Sequence, residues 1–269
     1  MPTSLRLLAV SSLAFLQAAS LVAQTAAPTP APADQAVMSS DRNSQLAHGQ
    51  LLEKAKKGGI DLYFLGDSIT RRWGATDYPE FLAHWKRNFH GWNAADFGWG
   101  GDSTQNILWR LQNGELDGVN PKVIVVLAGT NNLGRTPPDD AKVAEVVRGV
   151  KAIVDTCRAK APAATIVLTA IFPRNDNSAV MPGLNAINAQ LVRLADGKAI
   201  RFLNVNDRLA DADGTLREGM MGDKLHPALK GYEVWAASLR PIFTELLGPP
   251  AATDSAPSPT GDPSAAKRK

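Results

Sequence analysis

A single cysteine, Cys157, is all the chain carries, so no intrachain disulfide can form. Val143, Val147, Val150 and Val154 precede it at helical spacing, and Cys157 continues their stripe. That pattern predicts a buried core thiol, not a nucleophile. Histidines are few. There are four, and they show no ligand spacing with the carboxylates, so neither a metal nor any other cofactor is expected. No Gly-x-Ser-x-Gly elbow occurs, which disfavours an α/β-hydrolase. No Gly-x-Gly-x-x-Gly or Walker pattern occurs either, which leaves a phosphate-cradling binding module with little support. Lys and Arg number 29 against 26 Asp and Glu, a net charge of +3. The basic pieces (Arg71-Arg72, Lys86-Arg87 and Lys267-Arg268-Lys269) are short and read as solvated surface, so no nucleic-acid partner is expected.

The N-terminus has the one long apolar run with export character. Arg6 precedes Leu7 to Val22, which ends in small residues. Residues 1–23 are therefore read as a secretory signal peptide, too short and wrongly flanked for a stable membrane anchor. This predicts a secreted or periplasmic protein. Residues 24–43, with Pro28, Pro30 and Pro32, read as a stiff Pro/Ala-rich linker. At the other end, residues 248–269 turn to Pro, Ser, Ala, Thr and Gly and are expected to form a disordered tail.

Between these flanks, residues 44–247 are organised around Ile60-Asp61-Leu62-Tyr63-Phe64-Leu65-Gly66-Asp67-Ser68. A short apolar run rich in β-formers stops at Gly66, and small polar residues follow at once. It predicts a buried strand that delivers Ser68 to its carboxyl end, where a helix begins. Further strands are expected over 93–97, 121–128, 165–171 and 200–205. Helices are expected over 44–57, 78–89, from Ser103, from Asp139 through Cys157, over 184–194 and in the last segment, with a kink at Pro241. The run Val123–Ala128 is apolar throughout, as a strand covered on both faces should be. Strand–helix alternation implies an α/β fold: a three-layer α/β/α domain with a five-stranded, mostly parallel, flavodoxin-like sheet.

The tips of these strands collect chemistry. The first delivers Ser68, the second Gly100-Gly101, the third Asn131, and a loop before the last helix delivers Asp223 and His226. Acyl transfer needs a hydroxyl nucleophile, a base within reach, a carboxylate that fixes the base, and donors for the oxyanion. Gly66-Asp67-Ser68-Ile69, Gly101 in the Gly-Gly-Asp-Ser run, Gly129-Thr130-Asn131-Asn132 and Asp223-Lys224-Leu225-His226 resemble the four blocks of the SGNH (GDSL) hydrolase superfamily, in its order. The stretches 97–103, 108–116 and 121–126 are similar to the catalytic subunits of platelet-activating factor acetylhydrolase IB. The resemblance covers about residues 45–247. Ile69 stands where the motif often has Leu, and Asn132 where many members have Asp; neither replaces a catalytic group.

The resemblance implies Ser68 as nucleophile, His226 as general base and acid, and Asp223 as its carboxylate partner. It implies the Ser68 and Gly101 backbone N–H groups and the Asn131 side chain as oxyanion donors. Ser103, also preceded by Gly-Asp, is the rival nucleophile. Asp67 and Asp102 are expected to hold their loops, while Arg174 and Trp73, Trp99 and Trp109 could touch substrate or simply pack. The expected activity is hydrolysis of short-chain esters, acetyl foremost, on a small-molecule or glycan ester. A lysophospholipase or thioesterase on the same machinery and a non-catalytic carbohydrate-binding relative are the alternatives. The relatives also imply a homodimer.

Overall fold

The computed structural model describes Met1 and residues 31–265. The expected signal peptide and the first part of the expected linker lie outside the described residues. Five strands form one sheet: β1 (Leu62–Gly66), β2 (Ala94–Gly98), β3 (Val123–Leu127), β4 (Thr165–Thr169) and β5 (Ile200–Leu203). Their order is β2-β1-β3-β4-β5, and every pairing is parallel, with Leu62 opposite both Ala94 and Val123. All five residues of β1 and of β3 are buried, as their unbroken apolar sequence requires.

Alternate residues of each strand point to opposite faces, and the two faces make two separate cores. Tyr63, Leu65, Ile124, Val126, Ile166 and Leu168 face one way. They are covered by α1 (Arg42–Lys57), α4 (Thr104–Arg110), α5 (Asp140–Lys160) and α6 (Met181–Leu191). Cys157 lies in this core, fully buried, and burial alone pushes its thiol up to about 12. Phe64, Val123, Val125 and Val167 face the other way, against α2 (Ser68–Gly74), α3 (Pro79–Phe89), the short α7 (Asn206–Leu209) and α8 (Leu229–Leu247). Pro241 sits inside α8 without ending it.

The aromatic side chains concentrate on the second face. Phe64 is the hub, with ring centroids 4.5 Å from Trp85, 5.0 Å from Phe89, 6.0 Å from Trp73 and 6.3 Å from Trp235. Edge-on packing of this kind adds to the area buried. Phe64→Ala is expected to cost about 3–5 kcal/mol, read as a lower denaturation midpoint, because rigid rings cannot collapse into the space left.

Because β1 leads out to edge strand β2 and the chain then returns across β1 to β3, the winding direction reverses between β1 and β3. In open α/β sheets that reversal leaves a crevice at the carboxyl ends of the two strands. Gly66 ends β1 there because nothing larger fits. A Cβ at that position would lie 2.6 Å from the Leu127 carbonyl oxygen and 2.2 Å from Thr70 Oγ1.

Both flanks depart from the sequence expectation. Residues 31–40 are laid against the domain: the Ala33 N–H donates to Glu145 Oε1 (3.1 Å), Thr104 Oγ1 donates to the Ala33 carbonyl (2.7 Å), and the Val37 N–H donates to the Gln105 carbonyl (3.1 Å). Residues 249–265 follow the surface in the same way. The Ala251 N–H donates to Gly91 O (2.9 Å), Ser255 N–H to Asn93 Oδ1 (2.7 Å), and Thr76 N–H to Thr260 O (3.0 Å). Asn43 Nδ2 reaches Asp262 Oδ1 (2.7 Å), joining the tail to the start of α1. Hydrogen bonds to extended backbone hold these segments, and such bonds leave no hydrophobic period in a sequence.

Candidate active site

The Gly66-Asp67 turn passes directly from β1 into α2, so Ser68 opens the helix. Asp67 is its N-cap: the carboxylate accepts from the Ile69 N–H at 2.9 Å. Full burial pushes the Asp67 carboxyl up to about 7, with the Ile69 N–H acting against it. Asp67 thus holds the turn, as expected. Ser68 is half-buried, and its Oγ lies 2.8 Å from His226 Nε2.

The loop before α8 supplies the other half. His226 Nδ1 stands 2.8 Å from Asp223 Oδ2 and 3.0 Å from Oδ1. Asp223 Oδ1 also accepts the backbone N–H of His226 at 2.8 Å, so one carboxylate fixes both ring and main chain. Lys224, between them, takes a left-handed φ of +66°, which turns the two side chains toward each other. Its carbonyl accepts from the Asn175 N–H at 2.8 Å and ties the loop to the segment after β4.

Burial chiefly lowers the His226 pKa below its usual 6.5. Asp223 opposes this, and the nearby charge of Arg72 adds to the lowering. Burial raises the Asp223 carboxyl, but the backbone and ring N–H groups of His226 outweigh it and hold the acid well below the carboxylate range. Arg72 Nη1 donates to the same carboxylate at 3.0 Å. An ionised Asp223 favours the tautomer with its proton on Nδ1, which leaves the Nε2 lone pair facing the Ser68 hydroxyl. That arrangement can take a proton from Ser68 near neutral pH.

The expected donors sit on either side of β1. Gly101, in the loop after β2, has a φ of +78°, and a Cβ there would meet nothing within 4 Å. Its glycine answers to backbone conformation, not crowding. Asn131 lies in a single turn after β3, and its Nδ2 donates to the Asp102 carbonyl at 2.9 Å, next to Gly101. Asn132 binds the same two loops together, accepting the Thr104 N–H at 3.0 Å and donating to Gln105 Oε1 at 2.8 Å.

A profile of the GDSL-like lipase/acylhydrolase family matches residues 64–234, from β1 through the His226 loop into α8. The chain belongs to this family. It is similar to the alpha1 subunit of platelet-activating factor acetylhydrolase IB from Bos taurus, with 32% identity over 218 residues, 80% of this chain and 89% of that protein. The alpha2 subunit from Rattus norvegicus is 31% identical over 74% of this chain and 83% of its own length. Among solved structures, a GDSL-like lipase from Bacteroides thetaiotaomicron shares the fold. Its TM-score is 0.58 at 17% identity, over 77% of this chain and 98% of that one. The family and these relatives make the chain an ester hydrolase with the α/β fold of GDSL enzymes.

Within this GDSL hydrolase the remaining sequence candidates have structural partners. The Ser103 hydroxyl donates to Asn106 Oδ1 at 2.8 Å, at the start of α4. Trp73 is buried in the aromatic core with its Nε1 on His84 Nδ1 (3.0 Å). Trp99 donates to Ser44 Oγ (2.7 Å) beneath the Arg71 guanidinium, and Trp109 packs on the His48 ring at 4.8 Å. Arg174 is buried. Its Nη1 reaches Thr130 Oγ1 (3.1 Å) and its Nε reaches Asp176 (2.7 Å).

Sequence reasoning passed over Arg110. Its Nε donates to Asp102 Oδ2 (2.7 Å), its Nη1 to the Phe97 carbonyl (3.0 Å) and to Glu115, and its Nη2 to the Gly66 carbonyl (3.2 Å). One buried guanidinium therefore ties the ends of β1 and β2 to the loop that carries Gly101. The available signal was its position three residues after Ile107, which puts a charge on the buried face of α4. Glu115, the other acid of this pair, also accepts His48 Nδ1 at 2.8 Å.

Proposed function

We propose that this hydrolase is a secreted serine esterase that removes short acyl groups, acetyl foremost, from O-acetylated carbohydrate. Ser68 Oγ attacks the ester carbonyl as its proton passes to His226 Nε2. The tetrahedral oxyanion is held by the Ser68 and Gly101 N–H groups and by Asn131 Nδ2. His226 then protonates the departing alcohol and leaves an acyl-Ser68. Water, deprotonated by the same imidazole, attacks that ester; the bond to Ser68 Oγ breaks, Oγ takes the proton back from His226, and the carboxylate is released. Asp223 keeps the imidazole in register and stabilises its charged form. The observation that carries this reading is the unbroken chain of contacts, 2.8 Å from Ser68 Oγ to Nε2 and 2.8 Å from Nδ1 to Asp223.

Export rests on the N-terminal sequence, and the carbohydrate assignment on the extracellular location that export implies. A chain-length series tests the acyl preference. p-Nitrophenyl acetate should turn over well ahead of octanoate, and acetylated oligosaccharides should release acetate. A preference for long chains would favour a lipase instead.

The lowered His226 pKa sets the pH response. The base works only when neutral, and a lowered pKa keeps it neutral to more acidic pH. Activity should therefore persist below pH 6.5 and fail as pH drops through the His226 pKa. Arg72→Gln removes a charge that lowers this pKa, so the acid limb of kcat/KM should move to higher pH. An unmoved limb would show that Arg72 does not act on the imidazole.

A further inference from the structure

A hollow of about 590 Å3 opens beside Asn131, walled by Thr130, Gly134, Arg135, Arg174, Asp176 and Asn177. No large apolar side chain contributes to the wall. Burying methylene groups there would gain little and would strip water from polar atoms, so the hollow suits a polar alcohol better than an acyl chain. Its polar groups are held in place. Arg174 is pinned between Thr130 and Asp176, and the Asn177 Nδ2 fixes the Arg135 carbonyl at 2.9 Å.

The charges around this mouth do not balance. Arg72 is matched by Asp223 and Arg174 by Asp176, whose pKa is lowered by the Arg174 hydrogen bond. Arg135 is exposed, and among the described residues it has no carboxylate in ion-pair range. Lys224 is likewise exposed with no carboxylate in ion-pair range among the described residues, and its backbone is joined to Asn175, the neighbour of Arg174. Arg135 is thus a cation without an acid on the wall of a polar hollow that begins at a proposed oxyanion donor.

We propose that the alcohol part of the substrate carries an anionic group, a carboxylate or a phosphate, and that Arg135 is the residue that reads it. This rests on the esterase reading above, which puts the ester carbonyl oxygen on Asn131 Nδ2, at the edge of this hollow. A guanidinium at the rim can meet either oxyanion with two parallel hydrogen bonds. Lys224 adds to the attraction without a fixed geometry.

The test compares kcat/KM for three acetyl esters of similar size: an acetylated neutral sugar, an acetylated uronic acid and an acetylated sugar phosphate. p-Nitrophenyl acetate serves as a substrate without the alcohol group in question. The anionic esters should be preferred over the neutral one, and the better of the two names the source of the charge. The preference should shrink as salt is raised from low ionic strength. In Arg135→Gln the anionic-to-neutral ratio should fall by roughly fivefold, the size of one exposed charge contact. Hydrolysis of p-nitrophenyl acetate with no preference among the sugars overturns this inference alone. A preference that survives in Arg135→Gln overturns the assignment to Arg135. Failure on all four esters overturns the esterase reading with it.

Discussion

Ser68→Ala is expected to lower turnover of p-nitrophenyl acetate by roughly 10⁶-fold, the scale on which loss of a serine nucleophile is felt when its base remains. The fold should hardly notice. Ser68 is only half-buried, and the N-terminus of α2 is capped by Asp67, not by Ser68. The hydroxyl gives up a bond to His226 Nε2 that a water molecule can replace, so the melting temperature should stay within a degree or two of the parent. What residual rate remains would come from the oxyanion donors and from substrate binding. The parallel Ser103→Ala change touches only the start of α4, where the hydroxyl bonds Asn106, and should leave turnover within a few-fold. A reversed outcome would make Ser103 the nucleophile.

Arg110→Met should have the largest effect on stability among the charged positions, about 3–5 kcal/mol. The apolar replacement fills similar space but leaves Asp102 and Glu115 buried without their cation. Burial already pushes the Asp102 carboxyl up to about 6 against the pull of Arg110. Without that pull the acid should take up a proton at neutral pH, and its grip on the Gly101 loop should be lost. The Asp102 carbonyl bonded by Asn131 belongs to the same loop, so kcat should fall together with the denaturation midpoint. Arg110 acts here as a positioning residue, and the distinguishing readout is the acid limb of the pH profile. It should stay where His226 sets it, because the Ser68–His226–Asp223 contacts do not pass through Arg110. Arg110→Lys should recover part of the stability and little of the rate, since an ammonium cannot bridge Asp102, Gly66 and Phe97 at once.

These two positions also mark what was legible in the sequence. Ser68 stood out because the apolar run from Leu62 stops at Gly66, and a residue displayed at a strand tip leaves a local trace. Asp223 and His226 stand in a short motif, and their spacing of three lets the Asp223 carboxylate accept the His226 backbone N–H. The fold followed from strands β1 and β3, whose unbroken apolar sequence admits only a doubly covered sheet. Arg110 left a fainter trace, since its partners Gly66, Phe97, Asp102 and Glu115 come from four separate stretches that only the folded chain assembles. The left-handed Lys224 is invisible to residue preference, because lysine does not favour that conformation. The terminal segments leave no sequence trace of their attachment for a related reason. Pro, Ser and Ala without periodicity indicate that no apolar face is being buried, but Asp254, Asp262 and free backbone groups suffice to fasten extended chain to a surface.

The most direct measurement is labelling of the intact protein with a fluorophosphonate, followed by peptide mapping. The probe reports only a serine whose hydroxyl is activated and whose oxyanion is stabilised, so it tests the whole assembly at once. One label per chain on the peptide containing Ser68, abolished in His226→Gln, is the predicted result. A label on Ser103, or ester hydrolysis that proceeds with Ser68 unlabelled, would contradict the account.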